Sequence, residues 1–148
     1  MFEGVSHRLT FLLNRIVSVL VDAGSPQFRS LGLSIPAARA LIALYEGGSK
    51  MTVGNLAETT STDLSTMSHI LRRLESQSLL TRTRLARDNR VVYATLTKQG
   101  RSIAKECHDA SLQHEAVLLG DMSAEEAGLL KRMLVCVYGN AKSGFGID

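Results

Sequence analysis

Between residues 64 and 75 the chain reads LSTMSHILRRLE, a stretch dense in hydrogen-bonding side chains. Ser65, Thr66 and Ser68 carry short hydroxyls, His69 an imidazole, and Arg72 and Arg73 guanidiniums. Arg and His donate to base edges and to phosphate oxygens, and short hydroxyls let a helix approach a partner closely. A few residues on, Arg82, Arg84, Arg87 and Arg90 stand close together, with Asp88 among them. The chain has no glycine-rich phosphate loop, no carboxylate pair on one helix and no nucleophile elbow. The chemistry indicated is therefore recognition of a polar, anionic partner; no enzyme, cofactor or metal site is expected.

Charge follows the same pattern. Residues 1–71 hold five bases and five acids, residues 72–105 nine bases against two acids, and residues 106–148 three bases against seven acids. A block of +7 thus lies inside a chain whose net charge is +3. One cationic block in an otherwise neutral or acidic chain is the electrostatic footprint expected for a polyanion. A solvated surface would carry the same composition, so charge alone leaves both readings open.

The elements that must position these groups come from periodicity and caps. Val5, Leu9, Leu12, Leu13, Ile16, Val17 and Leu20 predict an amphipathic helix over 5–23, ended by Gly24-Ser25-Pro26. Ser34 can cap a second helix with Pro36 in its first turn, and Gly47-Gly48 stop it. Thr52 can cap a short helix with Val53, Leu56 and Ala57 on its apolar face. Thr62 or Asp63 then caps the helix that carries Ser65 to Arg73. Two helices joined by a tight polar turn, the second one basic, predict a helix-turn-helix.

At about 100° per residue, Leu64, Met67, Leu71 and Leu74 should face the core. Thr62, Ser65, His69, Arg72, Arg73 and Ser76 then point outward. Thr81, Thr83, Val91, Val92, Tyr93 and Thr95 favour strands, and Arg87-Asp88-Asn89-Arg90 has turn chemistry. A two-stranded basic hairpin is expected, slim enough to lie along a duplex while an Arg at its tip enters a minor groove. Thr97 can cap a long helix over about 98–119, and Ser123 a last one that frays after residue 140 near Gly144 and Gly146.

In this order the segments LSIPAARALIAL, VGNLAETTSTDLSTMSHILRRLE, RDNRVVYATLT and LTKQGR resemble the MarR family of winged-helix transcriptional regulators. The resemblance covers about Leu31 to Lys105 and is fainter in the flanking helices. It rests on the Asp-x-Arg of the wing, here Asp88 and Arg90, and on Leu96, Thr97 and Gly100. It implies a mainly α fold (α+β winged helix) of about six helices with a two-stranded β wing. Residues 1–30 would be an N-terminal dimerisation helix, 31–97 the DNA-binding lobe, 98–140 C-terminal dimerisation helices and 141–148 a frayed tail.

The resemblance also implies a homodimer on a palindromic double-stranded DNA operator, acting as a repressor. Thr62, Ser65, Thr66, Ser68, His69, Arg72 and Arg73 would serve the major groove. Arg84, Arg87 and Arg90 would serve the wing, with Arg90 in the minor groove at its tip and Asp88 setting its geometry. Many members bind small anionic aromatics between the dimerisation and DNA-binding regions, so such an effector is implied here too.

Ser78 stands where the family has a glycine, which predicts a loop that bends differently. Ala38 replaces a frequent aromatic, either leaving space or letting helices close. No cysteine lies on the first helix, so thiol-based peroxide sensing is not expected. Cys107 and Cys136 read as helix-packing residues, and His7, His108 and His114 as surface or interface groups. The start lacks a secretory signal and no apolar run is long enough to span a membrane, which places the chain in the cytoplasm. The alternative is a winged-helix module whose basic surface binds an acidic protein.

Overall fold

A computed structural model describes residues 4–147. It falls into two compact units, Met1–His114 and Glu115–Asp148. In the first, a 3-10 turn at Val5–His7 precedes α1 (Leu9–Ser30), α2 (Ile35–Glu46), β1 (Lys50–Thr52), α3 (Val53–Thr59), α4 (Leu64–Ser76), β2 (Leu80–Leu85), β3 (Asp88–Leu96) and most of α5 (Lys98–Leu119). The second holds the end of α5 and α6 (Ala124–Phe145). Among the described residues no helix is long and apolar enough to cross a membrane.

The caps expected from the sequence form. The Ser34 hydroxyl accepts from the Ala37 amide and the Thr52 hydroxyl from the Asn55 amide at 3.1 Å. Asp63 caps α4, its carboxylate accepting from the Thr66 amide at 2.8 Å. Ser123 and Glu126 close a reciprocal capping box at the head of α6. Each satisfies an amide that the first helical turn leaves without an intrahelical partner.

Three features differ from expectation. First, α1 runs through Gly24-Ser25-Pro26 to Ser30. Helix propensity is a weak local term, and packing overrides it here. Gly24 and Phe28 are buried. The Phe28 ring meets His114 of α5 edge-on at 6.1 Å, and a Cβ on Gly24 would come within 3.2 Å of the same imidazole. The supposed terminator is a packing point. Second, the expected β2–β3 hairpin forms and a third antiparallel strand joins it, in the order β1-β3-β2. Lys50, Met51 and Thr52 pair with Thr95, Ala94 and Tyr93. Third, α6 stays helical through Gly139 and Gly144 to Phe145, across the segment expected to fray.

One apolar core lies under the helix-turn-helix. Leu41, Leu44, Leu56, Met67, Leu71, Leu74 and Leu80 are fully buried. Each such side chain contributes on the order of 2 kcal/mol. Ala37, Ala38 and Ala40 give α2 a buried face of small side chains.

The junction after α4 is tight. Ser78 adopts φ 60°, so the loop keeps the left-handed turn that a glycine would make. Its carbonyl accepts from the Thr97 hydroxyl at 2.7 Å, while the Thr97 amide donates to the Leu79 carbonyl at 3.1 Å. Gly100 then lies so close that a Cβ would fall 1.6 Å from the Leu79 oxygen. An alanine in an ordinary helix position stabilises relative to glycine by about 0.5–1 kcal/mol. Gly139→Ala, with open space around it, should follow that rule. Gly100→Ala should do the reverse and cost about 2–3 kcal/mol, because backbone must move. Urea denaturation of the two variants checks both signs.

Candidate nucleic-acid interface

The buried residues of α4 are Met67, Leu71 and Leu74. Leu64, expected beside them, is 58% exposed, because the first turn of the helix projects past the edge of the core. The rest of the surface of α4 divides into three. Ser65, His69, Arg72 and Ser76 form the exposed crest. Ser68 turns toward the wing and lines a cleft of about 370 Å³ with Leu64, Arg82 and Arg90. Its hydroxyl is tied back to the Leu64 carbonyl at 2.8 Å. Arg73 turns the other way, and with His69 it borders a smaller cleft of about 210 Å³ beside Gly32, Leu33 and Ser34 at the head of α2.

Two further predicted hydroxyls are engaged locally. Thr62 lies in the turn before α4, half-buried, where it receives a hydrogen bond from the Thr60 hydroxyl at 3.0 Å and donates to the Thr60 carbonyl. Hydrogen bonds from Thr66, side chain and then backbone, hold the Asp63 carboxyl below its usual range. Thr66 thus serves the cap while remaining exposed.

The wing is β2 and β3 with a two-residue turn, Ala86-Arg87. Arg87 therefore occupies the tip, and Arg90 lies three residues along β3 instead of at the tip where the sequence placed it. Asp88 begins β3, and its carboxylate accepts from the Arg90 amide at 2.9 Å, which fixes the strand just after the turn. Arg82 pairs with Ala94 and Arg84 with Val92, so both share one face of the ribbon, and Arg90 borders the same cleft as Arg82. A bulge between Arg84 and Leu85 bends the ribbon there. Arg84, Arg87 and Arg90 are exposed.

Arg82 is not available to a partner in the same way. Glu75, at the end of α4, accepts from the Arg82 amide at 2.9 Å, from its Nε at 2.8 Å and from its Nη2 at 2.7 Å. Both guanidinium bonds converge on Oε2 while Oε1 takes the backbone amide, so both oxygens of the carboxylate are turned on one residue through charge-assisted bonds. The pair ties α4 to the ribbon. By type and position Arg82 reads as one more wing cation, and Glu75 as an ordinary surface acid. The signal is one of only two acids in a block of nine bases, seven residues ahead of its partner.

The cysteines differ. Cys107 is buried in α5, and desolvation, with Glu106 nearby, pushes its thiol up to about 11. Cys136 is exposed on α6, so the packing reading fits Cys107 alone within one chain. His108 and His114 are half-buried: the first lies between Tyr45, Glu46 and Asp109, the second against Phe28.

A model of the MarR family matches residues 33–92. Over 126 residues the chain is 30% identical to the HTH-type transcriptional repressor Rv2887 of Mycobacterium tuberculosis, spanning 85% of this chain and 90% of that protein. The chain belongs to the MarR family. In fold this MarR-family regulator is similar to S. aureus MepR, solved as a DNA complex, with a TM-score of 0.79 and 21% identity over 90% of this chain and 98% of that one. It is also similar to Bordetella bronchiseptica BpsR, whose DNA binding is regulated by 6-hydroxynicotinic acid, with a TM-score of 0.77 and 22% identity over 88% and 98% of the two chains.

The Arg82 hydrogen bonds hold the Glu75 carboxyl below its ordinary value of 4.5. A depressed carboxylate contributes stability that is present above its unfolded pKa and lost as pH falls through the lower folded value. Acid unfolding followed by circular dichroism should therefore show wild type losing stability faster than Glu75→Gln as pH drops below about 4.5. Glu75→Gln should be the less stable protein at neutral pH.

Proposed function

We propose that this regulator is a cytoplasmic homodimeric repressor that grips a palindromic operator, each chain placing the α4 crest in a major groove and its wing against the neighbouring minor groove. The observation that carries the reading is the Glu75–Arg82 lock, which gives two cationic elements one fixed relation. Ser65, Thr66, His69 and Arg72 then meet base edges, with Ser68 and Arg73 on the flanks. Arg84, Arg87 and Arg90 take phosphates and the minor groove, where Arg suits a narrow, electronegative channel.

Residues 31–97 would be the reading lobe, and residues 1–30 and 98–140 would supply the dimer layer. Exposed apolar residues support this. Leu9, Phe11, Ile16, Val17, Val19 and Val21 on α1 are all at least 40% exposed, and Val117, Val135 and Phe145 exceed 70%. A single chain in water would hold that surface at a cost, and a second copy would cover it.

Effector control fits a crevice of about 490 Å³ between α1 and α2, lined by Val17, Val21, Leu33 and Ile35 with Arg29 and Arg39 among its walls. Apolar walls with two guanidiniums suit a small anionic aromatic.

Electrophoretic mobility shift with duplexes enriched from genomic fragments tests the DNA contacts. Arg90→Ala should weaken binding to specific and random duplexes alike, by about ten-fold. His69→Ala should change which sequences are preferred. If both variants shift the operator as wild type does, these contacts are misassigned.

A further inference from the structure

The exposed apolar surface is not spread evenly. Among the described residues from 22 to 111, only Leu64 and Leu85 are large hydrophobics with 40% or more of their surface exposed. The others belong to the segments before and after, which carry α1 and the α5–α6 region. Leu85 ends β2 beside the wing turn, and Leu64 is the first residue of α4. Both therefore stand on the two elements proposed to meet DNA. Leu64 is the more exposed, at 58% against 40%.

A leucine at this place has no core to serve. Its neighbours Asp63, Ser65 and Thr66 are exposed, and the Asp63 carboxylate is turned back onto the Thr66 amide. Helical side chains lean toward the N-terminus, so the Leu64 side chain projects ahead of the helix. It borders the cleft that also holds Arg90 and Ser68, between α4 and the wing. The leading end of a recognition helix is the part that reaches base edges. The one apolar group that a major groove offers there is the C5-methyl of thymine. Arg90 beside it supplies the attraction to the surrounding phosphates.

We infer that Leu64 is a specificity-determining residue that packs against a thymine methyl in each operator half-site. The inference rests on the DNA-binding reading above and adds to it a base and an atom.

Methyl deletion tests it. A duplex is enriched from a random pool by the wild-type full-length chain, and each thymine is replaced in turn by deoxyuridine, which lacks only that methyl. Wild type should bind about four-fold more weakly at one thymine per half-site, the effect of one buried methyl-sized group. Leu64→Ala should bind both versions of that position equally and keep its sensitivity elsewhere. Leu64→Met, close in volume, should keep the preference, and Leu85→Ala should leave it in place. Circular dichroism should show unchanged folding, since the side chain is outside the core.

Two results overturn the inference while leaving DNA binding intact. In one, no single thymine-to-deoxyuridine change weakens wild type. In the other, Leu64→Ala weakens binding but retains the same thymine preference, which would make the leucine a packing residue of the cleft. Failure to enrich any duplex would overturn the DNA-binding reading, and this one with it.

Discussion

Glu75 and Arg82 join two elements that would otherwise hang from the core separately. The carboxylate takes one backbone amide and two guanidinium hydrogens of the same residue, so β2 is fixed to the end of α4 in position and in rotation. A duplex presents its major and minor grooves at a set spacing. A helix and a ribbon can engage both only if their relation is settled before contact. The ion pair is part-exposed, so its direct contribution to folding is modest. Its importance is geometric: it removes one cation from the wing and in exchange holds the strand that carries Arg84 against the end of α4.

The junction behind that pair completes the constraint. Ser78 turns left-handed, Thr97 holds its carbonyl, and Gly100 lets α5 approach the Leu79 backbone. The helix-turn-helix, the wing and the start of α5 thus meet within a few residues. Asp88 performs a related task at the far end of the ribbon, where it orders the strand that carries Arg90. Cationic side chains alone would bind a polyanion without register; these neutral and acidic positions give the arginines a direction.

Much of this was legible because it is local. Ser34, Thr52, Asp63 and Ser123 cap helices through bonds that span three residues, and a cap can be read from its own neighbourhood. What escaped depends on distant partners. Pro26 inside α1 persists because Phe28 and Gly24 pack on His114, far along the chain. Lys50–Thr52 becomes a strand only because β3 offers an edge. Leu64 shares the angle of the core residues, yet the core ends before it does, and periodicity carries no information about where a neighbour stops. The tip is Ala86-Arg87 and not the Asp-Asn stretch, because Leu85 pairs with Asp88 and the strand resumes before the residues whose composition suggests a turn.

The most direct test of the account is the affinity of the intact protein for an enriched palindromic duplex, measured by fluorescence anisotropy across a salt series with the stoichiometry fixed by titration. Two chains per duplex are predicted, with log affinity falling against log salt with a slope of about −5, as expected if roughly six phosphates are neutralised. Binding as one chain, or an affinity that does not change with salt, would contradict it.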